Sequence, residues 1–547
     1  METINSREHA KSLSSGTESS LHENLRVCGL PGVQNERDSE SQVGLERSDT
    51  NYSQYPDQAL LDEIVLIHST RTRSNTEKGI TVDPNEVTIE DGDAEDMYSI
   101  PMVKKVVISF LMCMTALNVT MLSSCWSLVS EKIMSEFHVG HEVSTLGVSL
   151  FIWGMGVGPL FLSPISEYYG RKATYVGGLA LTVCFEILTC FSRNLGGMLF
   201  GRFMSGFFGS AFLSVAGGTF SDIFVKEDIA VPVMLFSLCP FMGPSLGPLI
   251  AGFIADSNAD YRWLFYSLTL WTGTLLISML IFVPETYRPV LLARKAAKLR
   301  KETGNQDFFA PLEKVELTLF QSTILSAKRP LLLLVRDPMM LVLCVYTGLI
   351  LAIVYLFFVS FPYTFRTVWG FGISAQGMSF LGLLTGMVVS SPFSLVFGKI
   401  YLHLTKKNNG IAKPEFRFPS VILGGLLSPI ALFMMAWTSY ANVHWIGLIV
   451  CSSLYGVGTS FLFSGVFTYT VDAYRLYAAS AMAANSFTRS TMAGVFPLFG
   501  LQMYEKLGVH WATMLLGFIS LAMSPFAFIF YKKGEYLRSR SPYGWSE

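Results

Sequence analysis

The sequence predicts an all-α membrane protein, with twelve transmembrane helices in two six-helix bundles. Three observations carry that prediction. Beyond residue 102 the chain is a succession of apolar runs, each about long enough to cross a bilayer core of roughly 30 Å. One long polar segment, 284–337, divides those runs six from six. Lysine and arginine gather in alternate loops, the bias expected of a cytoplasmic face. Composition agrees: only 15% of residues are charged, against roughly a quarter in ordinary soluble domains.

Residues 1–100 come first. They are rich in Ser, Glu, Asp and Asn and poor in aromatics. Such a segment buries too little apolar surface to fold alone, so it reads as a disordered cytoplasmic tail. It lacks the apolar stretch of a signal peptide, and the first span is expected to serve as the insertion signal. Within the tail, 59–67 reads as a docking turn, with a sorting signal as the alternative. The sequon at Asn51 is expected to stay bare, as is the one at Asn118, which falls inside a span.

The apolar runs follow at about 103–126, 145–165, 174–191, 198–220, 233–255 and 264–283, then 338–361, 377–398, 419–438, 445–469, 480–502 and 510–531. This places the first bundle at 101–283, a cytoplasmic central loop at 284–337, the second bundle at 338–531 and a C-terminal tail at 532–547. With the N-terminal tail inside, the later inner loops and the C-terminal tail hold 23 Lys and Arg. The outer loops hold five: Lys132, Arg193, Arg262, Arg366 and Lys506. Both chain ends are therefore expected in the cytoplasm. Cys113, Cys184, Cys190, Cys239, Cys344 and Cys451 lie in apolar runs without CxxC pairing and read as packed thiols. The net charge of −1 implies no nucleic-acid partner. With no phosphate loop, zinc-ligand cluster or hydrolase elbow, neither an enzyme nor a cofactor is expected.

The most informative stretch is the polar hairpin Ser163-Pro164-Ile165-Ser166-Glu167-Tyr168-Tyr169-Gly170-Arg171-Lys172, between the second and third runs. Its spacing resembles the signature loop between helices 2 and 3 of the major facilitator superfamily, with Ser163 where the family usually has Gly. The string from Pro284-Glu285-Thr286-Tyr287-Arg288-Pro289 to Gly304 is similar to the segment after helix 6 in fungal twelve-spanner drug:proton antiporters. The resemblance covers about 103–531. It implies two halves related by an axis along the membrane normal. Gly201, Gly206 and Gly209 in the fourth run have rough counterparts in Gly456, Gly458 and Gly465 of the tenth. The second-half loop, Lys399 to Arg417, lacks the Gly-Arg-Lys pattern.

Arg202 lies several residues inside the fourth run, where a charge costs about 2.5–3.5 kcal/mol on insertion scales. The resemblance implies a part in proton coupling; an arginine reaching to the interface is the plainer reading. Glu186, deep in the third run, is the first candidate partner and proton carrier; a hydrogen-bonded neutral acid is the alternative. Glu167, Gly170, Arg171, Lys172 and Asp222 are expected to meet as a cytoplasmic gate. Asp472 is expected at the inner end of the tenth run. Gly243, Pro244, Gly247, Pro248 and Gly252 match the helix-5 antiporter motif, with Ala251 in place of a frequent Gly. There, small residues allow close packing and prolines bend the helix. Trp153, Phe241, Tyr346, Tyr355, Asn485 and Arg489 are candidates to line a substrate cavity. In the central loop, Leu291, Leu292 and Leu299 share a face ringed by cations, which suits a helix on the inner leaflet.

The function implied is efflux of a small, mostly hydrophobic organic compound in exchange for protons: a drug, toxin, secondary metabolite or polyamine. A nutrient importer in the same fold is the alternative, and a non-transporting sensor a second. The expected partners are substrate, protons and the lipid bilayer, with the protein acting as a monomer. The plasma membrane is the expected location and the vacuolar membrane the alternative.

Overall fold

The computed structural model describes residues 85–89, 93, 96–225, 228–314 and 319–544. The expectations for Asn51 and for 59–67 lie outside them. The first bundle comprises α1 (Met102–Ser124), α2 (His141–Tyr169), α3 (Arg171–Phe191), α4 (Leu195–Ile223), α5 (Ala230–Asp256) and α6 (Arg262–Phe282). The second begins with α7 (Pro338–Trp369) and α8, built from Ile373–Met378, Leu381–Ser390 and Phe393–Lys407. Then come α9 (Phe418–Thr438), α10 (Ile446–Ala473) and a helical stretch of 63 residues, Ala478–Arg540.

Eleven helical stretches among the described residues are long and apolar enough to cross a membrane. The last is too long for one crossing: 63 residues span about 95 Å at 1.5 Å each. It breaks at Gly508, whose φ of 78° and ψ of 159° are not helical. The break separates α11 (478–507) from α12 (509–540), which gives twelve spans. That backbone region is essentially confined to glycine.

The two halves repeat one packing device. A side chain added at Gly154 or Gly158 of α2 would strike the Phe203 or Phe207 carbonyl of α4, at 2.2 and 2.3 Å. In α8, Gly382 and Gly386 meet the Ile449 and Ser453 carbonyls of α10 at 2.3 and 1.9 Å. Small residues four apart thus bring the second helix of each half onto its fourth. Outward-facing side chains are large and apolar, Leu270, Phe253 and Phe518 among them. Cys184 also lies on this exposed face, where a packed thiol was expected.

The helix Arg288–Thr303 departs from the sequence reading. Its apolar side is covered by protein: Leu292 and Leu299 pack with Val87 and Ala310. A short parallel bridge holds that cover, with Val87 N–H donating to the Phe309 carbonyl at 3.1 Å. Lys295 adds an ion pair to Asp93 at 2.5 Å. On the same helix, Arg300 grips Glu313 with two hydrogen bonds and holds that carboxyl below its usual range. Backbone pairing and buried apolar contact thus take the place assigned to lipid.

Gly508→Ala tests the α11–α12 junction. The strained backbone should cost about 1–3 kcal/mol and lower the melting temperature in detergent. Gly273→Ala, whose new methyl group meets open space, should leave it unchanged.

Candidate functional site

Charged groups collect at the end of the bundle where α1 begins and α12 finishes. Arg171 opens α3, and its Nε lies 3.4 Å from Asp222 in the last turn of α4. Its Nη1 donates to Ser166 Oγ at 3.1 Å, and its guanidinium lies over the Tyr287 ring at 4.6 Å. Glu167 is exposed, yet close enough to act electrostatically on Arg171 and Tyr287. Burial, reinforced by that carboxylate, pushes the Tyr287 phenol above its usual range. Lys172 turns away and donates to the Leu280 carbonyl at 3.1 Å, near the end of α6.

Glu285 completes this cluster, and the sequence reading gave it no role. It is buried and accepts four backbone N–H bonds: Arg171 at 2.8 Å, Tyr287 at 3.0 Å, Thr286 at 3.1 Å and Lys172 at 3.3 Å. Two of those donors belong to the free first turn of α3, where a carboxylate is favoured. The close approach requires Gly170. Its φ is +99°, and an added Cβ would lie 2.3 Å from Glu285 Oε2. The signal was present in the Pro284-Glu285-Thr286 string, but the contact spans 114 residues.

The second half holds a counterpart. Arg417 precedes α9, and its Nε lies 2.9 Å from Asp472 in the last turn of α10. Its guanidinium stacks 3.6 Å from the Tyr401 ring centre. The pairs are separated by 51 residues in the first half and 55 in the second. An arginine opening the third helix and an aspartate closing the fourth are the readable signal. Nearby, buried Glu415 takes two hydrogen bonds from Arg538 of α12, each 3.2 Å.

Two turns into α4 from the end opposite the Arg171 cluster, Arg202 is 2% exposed. Its Nε donates to the Gly147 carbonyl at 3.0 Å and its Nη2 to the Ser123 carbonyl at 3.3 Å. Phe151 and Trp126 lie over the cation at 4.5 and 5.4 Å. Among the described residues no ion pair joins Arg202 to Glu186; carbonyl dipoles and ring faces satisfy the charge instead. Glu186 Oε1 meets Thr272 Oγ1 at 3.2 Å, and Oε2 has no partner. Thr272 Oγ1 also receives Asn118 Nδ2 at 2.8 Å and bonds the Leu268 carbonyl at 2.9 Å.

The halves meet around Arg202. Ser123 Oγ shares a hydrogen bond of 2.8 Å with the Tyr355 hydroxyl across the interface. Trp153 Nε1 donates to the Thr491 carbonyl at 3.2 Å, and Phe241 lies 4.9 Å from Phe463. Arg489 lies over Phe467 at 5.4 Å and Phe463 at 5.7 Å, and its buried Nε has no acceptor. Asn485 turns to Thr347 of α7 at 2.8 Å, within the second half. Tyr346 is a correction: its hydroxyl faces Gly425 of α9, inside the second bundle and away from the interface. The narrow glycine there leaves room for the ring.

Toward the opposite end the halves are joined. Gln502 donates to Glu142 at 2.8 Å, and Arg366 pairs with Glu131. Between these pairs lies a cavity of about 350 Å³, bordered by Trp126, His141, Tyr363 and Glu505. In α5, Gly243 and Gly247 lie on α1, against Thr120 and Ser124. Gly252 instead meets Gly377 of α8 in the other half. Pro244 and Pro248 sit inside the helix between them.

Asp222→Asn and Asp472→Asn each remove one charge from equivalent pairs. A charge-assisted bond contributes ~1.5–3 kcal/mol, so transport should slow about tenfold in each. Flux per molecule of surface protein checks this. A loss confined to Asp222→Asn would end the equivalence.

Residues 110–497 match the family described as the Major Facilitator Superfamily. Over 468 residues the chain is 48% identical to the "Probable drug/proton antiporter YHK8" of Saccharomyces cerevisiae, covering 85% of this chain and 91% of that protein. It is 44% identical over 395 residues to "Efflux pump atB" of Aspergillus terreus, covering 71% of this chain and 83% of that one. A D-xylose–proton symporter structure superposes with a TM-score of 0.57 at 14% identity, over 78% of this chain and 98% of that one, a likeness of fold alone. Twelve spans in two repeated halves, and a family match across most of them, lead to one conclusion: this chain belongs to the Major Facilitator Superfamily.

Proposed function

We propose that the protein exports a small, largely hydrophobic organic compound in exchange for protons. Relatives named as a drug/proton antiporter and as efflux pumps support this reading. The observation that carries the proton half is the hydrogen count at Glu186. Thr272 has one hydroxyl proton and two acceptors, the Leu268 carbonyl and Glu186 Oε1. When the carbonyl takes it, only a protonated Glu186 can bond Thr272. When Glu186 takes it, a buried carboxylate is left with a bare Oε2, an expensive state. A neutral acid suits the site, and a neutral acid carries a proton.

The substrate half rests on the interface. Phe241, Phe463, Phe467 and Tyr355 supply aromatic rings there, and Arg489 adds a cation whose buried Nε has no acceptor. That cation repels a polyamine, so the cargo is a neutral or weakly acidic compound. The excess of positive residues supports a cytoplasmic α1–α12 end. The joined end, at Arg366 and Glu131, then faces outward, and the Arg171 and Arg417 clusters are inner gates. Sliding of the halves past Gly252 and Gly377 would exchange the open end. The plasma membrane is the proposed location.

Glu186→Gln keeps the shape and removes the titrating group. In proteoliposomes it should retain exchange of labelled substrate across the membrane at zero pH gradient. Accumulation driven by an imposed gradient should fall to background. Wild-type accumulation by this variant would remove Glu186 from the coupling.

A further inference from the structure

Helix α12 ends at Arg540, and the chain turns back onto the bundle. Ser541 Oγ donates to Asp337 Oδ2 at 2.5 Å. It accepts backbone N–H bonds from Tyr543 at 3.3 Å and Gly544 at 3.0 Å. The Tyr543 ring lies edge-on to Tyr477 at 5.4 Å. Asp337 is fully buried. Its Oδ1 caps α7 through Met339 N–H at 3.0 Å and Met340 N–H at 3.4 Å, and its Oδ2 also accepts the Tyr474 hydroxyl at 2.6 Å. One carboxylate thus joins the start of α7, the end of α10 and the last described turn of the chain. Immediately before Asp337, the helix Leu319–Arg336 packs on α2 of the other half. Asp337 is therefore where a clamp between the halves meets α7.

We propose that Ser541 is a phosphorylation site and that its modification releases the end of the chain from Asp337. Its hydroxyl is only half-buried and lies in a non-helical turn, between exposed Arg540 and Pro542. A serine followed by proline, with a cation before it, is what a proline-directed kinase reads. The γ-phosphoryl group of a nucleoside triphosphate passes to Ser541 Oγ. The bond to the β-phosphate breaks, the Oγ–P bond forms, the hydroxyl proton goes to the kinase base and the diphosphate leaves. The product carries about −1.5 to −2 charge beside a buried carboxylate. Like charges so placed repel strongly in a low dielectric. Residues 541–544 then leave Asp337 and Tyr477, while Tyr474 keeps its bond to Asp337. The proposal rests on the cytoplasmic placement of the α12 end given above, where the donor nucleotide is found.

Two experiments test it on the full chain. Purified protein is incubated with ATP and a proline-directed kinase, and tandem mass spectrometry locates the phosphate. Phosphate on Ser541 supports the site; phosphate on Ser539 alone overturns it. Phosphate on purified protein but none in intact cells would support the site and contradict the cytoplasmic placement. Amide hydrogen exchange then compares S541A, S541E and S541E combined with D337N; asparagine still caps α7. Peptides covering 538–544 should exchange about tenfold faster in S541E than in S541A, and D337N should reverse the difference. Equal exchange in S541E and S541A would overturn the release.

Discussion

A charge inside a bilayer must be met by protein groups, because lipid offers none. The arginines of this chain meet that demand in different ways. Arg202 uses carbonyl dipoles and aromatic faces. Arg171 and Arg417 use aspartates at the membrane edge. Arg489 has rings above it but a bare Nε. The first arrangement fixes α4 against α1 and α2. The second ties helix ends and is open to exchange. The third leaves a buried donor without an acceptor. The three arrangements thus differ in how completely each cation is satisfied, and the proposed export would use the difference for gating and recognition.

The repeat of the halves extends beyond helix count. Both bring the second helix onto the fourth with glycines four apart, and both join the third helix to the fourth with an arginine–aspartate pair. They differ in how the sixth helix of each half is held. In the first, Glu285 follows α6 and meets backbone donors of α3. In the second, the acid is Glu415 before α9, and the cation is Arg538 on α12. The sign is exchanged while the staple persists. A sequence comparison by residue type misses this, because what repeats is position and charge complementarity.

Much of the fold was legible because lipid imposes a simple code of length and hydropathy. The twelve runs were readable, and so were the two charges, Arg171 and Asp222, that the fold brings together. The rest depended on long-range geometry. Arg417 and its partner 55 residues away are recognisable only by their matching places in the two halves, not from the residues around either one. Tyr346 looks like any cavity aromatic until Gly425 is seen beneath it. The cationic helix after α6 suggested lipid because part of its cover, residues 85–89, lies far away in sequence, with Thr88 207 residues before Lys295. Arg202 drew Glu186 as a partner because both are buried charges, yet a guanidinium can be satisfied by carbonyls that carry no sequence signature.

The proposed exchange requires opposed movement of proton and cargo. The decisive measurement uses purified protein in liposomes holding a pH-sensitive dye, with no gradient imposed. A hydrophobic substrate is added outside, and protein-free liposomes correct for passive permeation. Exchange predicts that the interior becomes alkaline as substrate enters, in proportion to its uptake. An interior that turns acid would show co-transport, and an unchanged interior during uptake would show no coupling. Either result would contradict the account.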